Sequence, residues 1–217
     1  FICFFLGNDF MPHFPSINIR TIGIHIMMNA YKKINCSLTE NNEICWKNVR
    51  KLVECLANDE WNNLTREYRL REKWERRVLP NETPGDLMDR YLKAPTQNRE
   101  IEKAIEPQKS HWEYRYYKEL FHVEIDEDIK KDICINYLEG LEWNMKYYIE
   151  GCIDWRWHYK YNYPPLLKDL LKYIPYFQTN MIAPNDHKPV SHLVQLSYVL
   201  PQSSLYLLPK KIHRMRL

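Results

Sequence analysis

The sequence predicts a mainly α protein that opens on the last strand of an α/β core and continues into a predominantly helical domain. Three observations carry this: an unbroken apolar run at the start, long segments in which apolar residues recur every three or four positions, and only 5 glycines in 217 residues.

The run Phe1-Ile2-Cys3-Phe4-Phe5-Leu6 suits a strand buried on both faces, and Gly7-Asn8-Asp9 supplies turn chemistry at its end. Because the run is already apolar at a first residue that is not Met, sequence is expected before Phe1. Two prolines stiffen Met11-Pro12-His13-Phe14-Pro15, and a helix is predicted from about Ile19 to Lys33. Asn35 to Asn42 is polar and reads as a loop. From Ile44 to Arg77 the 3.6-residue period is followed by Val49, Leu52, Val53 and Leu56, then by Trp61, Leu64, Tyr68 and Arg71; one long helix or two fit equally. Pro80 to Gly85 breaks this pattern, and Lys93 to Lys109 reads as an exposed connection.

A further helix is predicted from Asp126, a residue suited to the N-cap, to about Ile149. Ile129, Ile133, Tyr137, Leu141, Met145 and Tyr148 mark its buried stripe. After Gly151, aromatic residues alternate with Arg156, His158, Lys160 and Asn162 from Trp155 to Tyr163, as in an extended segment. A short helix follows over Leu166 to Tyr173, and the chain ends on a basic stretch, Lys210-Lys211-Ile212-His213-Arg214.

Composition narrows the function. The chain is 45% hydrophobic and 14% aromatic, enough for a substantial core, and its net charge of +3 does not by itself indicate a polyanion partner. The six cysteines lie at irregular spacings with no CxxC pair, which argues against a zinc module. No apolar run approaches the ~18 residues of a membrane span, so no membrane partner is expected. Unpaired thiol spacing and the lack of an export signal predict an intracellular location, cytoplasmic in preference to nuclear.

The segment Leu6-Gly-Asn-Asp-Phe-Met-Pro-His-Phe-Pro-Ser-Ile-Asn-Ile-Arg20 resembles the signature closing the catalytic half of XRN-family 5′→3′ exoribonucleases. Three further blocks resemble the family in order: Trp112-Glu-Tyr-Arg-Tyr-Tyr-Lys118, the stretch from Tyr137 to Cys152 with Trp155 to Pro165, and Leu200-Pro-Gln-Ser-Ser204. The resemblance implies the end of a PIN-like/FEN-like nuclease core over residues 1–37 and a helical middle domain over 38–217. Within the latter, 38–108 are divergent or inserted and 109–217 match best. It also implies a processive enzyme that releases mononucleotides from single-stranded RNA bearing a 5′ monophosphate. Mg²⁺ or Mn²⁺, as two ions, is the implied cofactor, with most ligands outside this segment, in the missing N-terminal half of the same protein, so the segment alone is expected to be inert.

Each candidate residue has a plainer alternative. Asp9 is a turn residue or, as the resemblance implies, a catalytic metal ligand at a sheet edge. Asn8 is expected to shape that turn, and His13 to support the site or simply pack in the loop. Trp143 lies off the apolar stripe, so it meets a second packing layer or, as the resemblance implies, stacks on a base. The aromatics of 155–163 read as core first, while Arg156, His158 and Lys160 on the other face suit phosphate contact. The basic helix of Arg66 to Arg77 reads as a solvated surface with pairs such as Arg71–Glu75. A flap-type DNA nuclease and an inactive RNA-binding scaffold are the rival functions; the Pro12-His13-Phe14-Pro15 loop lacks the glycine-rich hairpin the former needs.

Overall fold

The computed structural model describes residues 1–76, 83–97, 99–124 and 126–210. Arg77, the break around Pro80 and the basic end after Lys210 lie outside the described residues. The chain is mainly helical: α1 (Gly23–Ile34), α2 (Trp46–Asn58), α3 (Glu60–Glu75), α4 (Pro84–Gln97), α5 (Glu100–Ile105), α6 (Trp112–Phe121), α7 (Glu127–Ile149), α8 (Leu167–Tyr173) and α9 (His192–Val199). Asn41 and Asn42, both at positive φ, turn the chain between the short antiparallel strands β1 (Thr39–Glu40) and β2 (Glu43–Ile44).

The opening run is not a strand. Ile2–Leu6 is a 3-10 helix, with Phe4 N–H donating to Phe1 O at 3.0 Å and Gly7 N–H to Phe4 O at 3.3 Å. Six apolar residues carry no period that separates a buried strand from a buried helical turn. Among the described residues no strand lies beside the run to pair with it, so its backbone bonds within the turn and, at Phe5 O, to Phe14 N–H at 3.4 Å. Phe4, Phe5 and Leu6 are buried, with aromatic packing around them: Phe1 sets its edge on Phe4 and Phe5, and Phe5 stacks on Phe14 at 5.9 Å.

The 44–77 pattern resolves into two helices, broken at Asp59. Val49, Leu52, Val53 and Leu56 are buried as their spacing predicts, and so are Leu64 and Tyr68. Trp61 is instead exposed, its Nε1–H donating to Pro107 O at 2.7 Å. Nor does Arg71 pair with Glu75 along the helix: Arg71 bridges to Glu102 of α5, while Glu75 takes Arg99 and Lys103. These pairs tie α3 to α5, while Arg69, Lys73 and Arg76 lie exposed as expected of a solvated basic face. The stretch expected to be an exposed connection holds the end of α4 and all of α5, whose Ile105 is buried.

Helix α7 organises the rest. Asp126 caps it, its carboxylate accepting Ile129 N–H at 2.8 Å, with Glu127 and Asp128 adding negative charge where the helix dipole favours it. The helix is buried on more than one face: Ile133, Tyr137 and Leu141 are fully buried, and Asn136, Gly140, Trp143 and Asn144 are buried as well. Tyr148, on the expected stripe, is 63% exposed because the helix end passes beyond the core there. One apolar cluster includes Phe5 and Met27, Leu52 and Leu56, and Tyr137 and Leu170, so packing is continuous across residues 37 and 38. A second cluster joins Leu64, Tyr68, Tyr116, Tyr117 and Ile133. Glu60 stitches the two together, its buried carboxyl accepting Leu167 N–H at 2.8 Å at the start of α8.

Candidate active site

Gly7 enters the Gly7-Asn8-Asp9 turn at φ +89°, and a Cβ there would meet His13 at 2.9 Å, so only glycine fits without strain. Asn8 then shapes the turn: its Oδ1 accepts the N–H groups of Phe10 and Met11, both at 2.9 Å, and its own N–H donates to Met11 O at 3.0 Å. With the turn's donors taken by Asn8, the Asp9 carboxylate is left exposed and without a side-chain partner among the described residues. Asp9 thus sits in the turn as a solvated residue, with Asn8 supplying the side chain that forms it.

The turn is seated on α7 by four residues at helical spacing. Gly140 admits Met11, whose Sδ occupies the space a Cβ would need. Phe10 sets its edge against Trp143 at 4.9 Å and Tyr147 at 5.0 Å. Asn144, fully buried, accepts Asn8 Nδ2–H at 2.7 Å and donates to Gly140 O at 2.8 Å. Residues 140, 143, 144 and 147 share one face of a helix, so α7 acts as the cradle of the acidic turn.

Trp143 is thus in a packing layer. It is only 5% exposed, its ring lies near-parallel to Tyr147 at 5.1 Å and Trp157 at 5.3 Å, and its Nε1–H donates to Asp154 O at 3.0 Å. The open π-face expected for base stacking is absent. Rings that do face solvent nearby are Tyr148, stacked on Phe4 at 5.7 Å, and Trp155, 52% exposed. Neither stood out in the sequence, since Tyr148 lies on the apolar stripe and Trp155 opens an alternation that otherwise points inward.

That alternation holds as an extended, irregular segment: Tyr159 is buried and Trp157, Tyr161 and Tyr163 are partly buried, whereas Arg156, His158 and Lys160 are exposed. Asn136 of α7 fixes its path by accepting Lys160 N–H at 2.9 Å. Among the described residues no ion pair engages Arg156 or Lys160.

His13 lies at a cleft of about 470 Å³ between the turn loop and α3, with Pro12, Pro15, Glu67, Arg71 and Tyr163. His13 is exposed at the surface, yet the protein around its ring lowers its pKa, and Arg71 and Arg20 lower it further, which favours the neutral imidazole. Burial raises the Glu67 carboxyl in the same cleft, opposed by the hydroxyl donated from Thr21 and by Arg66 and Arg71. No group of three or more His, Cys, Asp or Glu side chains among the described residues is placed to hold a metal ion. One exposed carboxylate does not satisfy a hard cation, so this chain's residues do not by themselves fit the implied metal pair.

Fold and site together define a helical domain whose long helix α7 clamps an acidic turn. The chain matches the family described as the Xrn1 helical domain over residues 1–110 and 86–216, and it belongs to that family. It is similar to 5′-3′ exoribonuclease 2 of Arabidopsis thaliana, 24% identical over 97% of this chain and 29% of the relative. Its likeness to 5′-3′ exoribonuclease 2 of Gallus gallus is 26% over 96% of the chain and 29% of the relative. To 5′-3′ exoribonuclease 1 of Saccharomyces cerevisiae it is 34% identical over 51% of the chain and 7% of the relative. The chain therefore spans under a third of the length of these relatives. The Arabidopsis alignment runs over 294 positions, more than the 217 residues here, so that relative carries segments this chain lacks.

Proposed function

We propose that this chain supplies the acidic turn and helical backing of a 5′→3′ exoribonuclease acting processively on single-stranded RNA with a 5′ monophosphate. The observation that carries the proposal is the Asn8–Asp9 division of labour: Asn8 satisfies the turn and leaves the Asp9 carboxylate presented, with no side-chain partner among the described residues. Membership of the Xrn1 helical domain family supports the reaction class. In this reading Asp9 contributes one carboxylate to an acidic cluster completed by other parts of the protein. That cluster would hold Mg²⁺ or Mn²⁺, which supplies charge stabilisation at the scissile phosphate when bound. Arg156, His158 and Lys160 would meet RNA phosphates, giving sequence-independent affinity that weakens with salt.

The test is Asp9→Asn in the full-length protein, assayed on 5′-monophosphorylated single-stranded RNA. Turnover should fall by at least a hundredfold with RNA affinity within threefold, because affinity comes from phosphate contacts and not from this carboxylate. Turnover within tenfold of wild type would remove Asp9 from the reaction. A wild-type protein that binds RNA and never degrades it would instead identify a non-catalytic RNA-binding scaffold.

A further inference from the structure

We infer that Asn144 is a positioning residue for turnover, acting through Asn8 to hold the Asp9 carboxylate. This rests on the reading that Asp9 takes part in the reaction. No side-chain bond fixes Asp9 among the described residues, so its direction depends entirely on the backbone of residues 8–11. That backbone is held by an ordered pair of amides. The Gly140 carbonyl can only accept, so it draws the Asn144 amino group at 2.8 Å and turns Asn144 Oδ1 toward the turn. Asn144 Oδ1 in turn requires the Asn8 amino group, at 2.7 Å, which leaves Asn8 Oδ1 facing Phe10 N–H and Met11 N–H.

Reversing either amide would bring two oxygens or two amino groups face to face in a site from which Asn144 has no access to water. The arrangement therefore has a single satisfied state, and it transmits the register of the α7 backbone to the acidic turn. Apolar contacts at Gly140, Trp143 and Tyr147 seat the same turn but do not choose among its backbone rotations, because packing is less directional than hydrogen bonding.

The experiment uses the full-length protein with Asn144→Leu and Asn144→Ser. Serine can return a hydroxyl to the Gly140 carbonyl one turn back, which keeps the helix satisfied, but it is too short to reach Asn8. Both variants should lower kcat at least tenfold with KM for RNA within twofold. Hydrogen exchange at the Phe10 and Met11 amides should accelerate at least tenfold, while exchange in the middle of α7 stays unchanged in Asn144→Ser. If Asn144→Leu does not fold, the serine variant alone decides. A kcat within twofold of wild type in Asn144→Ser, or unchanged exchange at Phe10 and Met11, overturns the inference while leaving Asp9 untouched. Full turnover in Asp9→Asn defeats both readings together, so the two failures are distinguishable.

Discussion

Replacing Trp143 separates packing from base stacking. Its side chain is 5% exposed, and truncating a buried tryptophan to alanine costs roughly 3–5 kcal/mol. Near-parallel contacts with Tyr147 and Trp157 each add about 0.5–1.5 kcal/mol beyond area, part of which lies within that range already. We therefore expect a loss of about 4–5 kcal/mol in Trp143→Ala. At roughly 2–4 °C per kcal/mol for a domain of this size, Tm should fall on the order of 10–20 °C. Trp143→Phe keeps a ring between the same neighbours and loses the hydrogen bond to Asp154 O, worth about 0.5–1.5 kcal/mol, so it should recover more than half of the loss. Thermal unfolding of the full-length variants measures this, with RNA binding assayed well below each Tm. Base stacking contributes roughly 1–3 kcal/mol, or about 5- to 150-fold in affinity. A Tm within 2 °C of wild type together with a more than tenfold loss of RNA affinity would refute the packing argument and restore Trp143 as a platform for bases.

Two further outcomes follow from buried groups. The Glu60 carboxyl is pushed up to about 8, by burial first, against the opposing pull of the Leu167 and Lys168 N–H groups. A folded-state value above the unfolded one means the native state holds the proton more tightly, so this contribution is complete below about pH 4.5 and is lost as pH rises toward 8. Glu60→Gln, which keeps an acceptor for Leu167 N–H, should match wild type near pH 5 and melt several degrees higher at pH 8.5; a lower Tm at pH 8.5 would show an ionised cap on α8 instead. At Gly140 alanine would ordinarily gain up to about 1 kcal/mol inside a helix, but the added methyl meets Met11 and Trp157, and overpacking costs about 1–3 kcal/mol. Gly140→Ala should therefore lower Tm; an increase would mean that Met11 swings aside freely.

The sequence reveals periodic features and conceals paired ones. Helix α7 is legible from end to end because its cap, Asp126, and its spacing of Ile133, Tyr137 and Leu141 are local. Its second buried face is not, since Gly140, Asn144 and Tyr147 look like a polar surface until the turn they hold is known. Asn144 finds its partner 136 positions away, and nothing in composition distinguishes a buried asparagine from a solvated one. The opening run failed for a different reason: burial of phenylalanines is equally served by a strand or a helical turn, and backbone pairing, which decides between them, is not written in hydrophobicity. Arg71 likewise obeys the helical spacing that suggests Glu75, yet the partner on α5 approaches more closely.

Asp9 was legible as a candidate, and the reason it remains one is structural. An aspartate after asparagine in a turn is ordinarily unremarkable, because either side chain can accept the backbone N–H two or three residues on. Here Asn8 accepts both available N–H groups, so an Asp9 carboxylate is redundant for the turn. A redundant charge on an exposed turn needs no buried polar clamp to be tolerated, since water solvates it in any rotation of the backbone. The turn is nevertheless anchored by a fully buried asparagine, a methionine nested over a glycine and a phenylalanine set against two aromatic rings. Burial of the apolar contacts serves stability, and the buried amide adds a direction to the same anchor by fixing which way the backbone of residues 8–11 turns. In the proposed reading that direction is what a reaction needs from a side chain whose position, and not merely its charge, enters the rate.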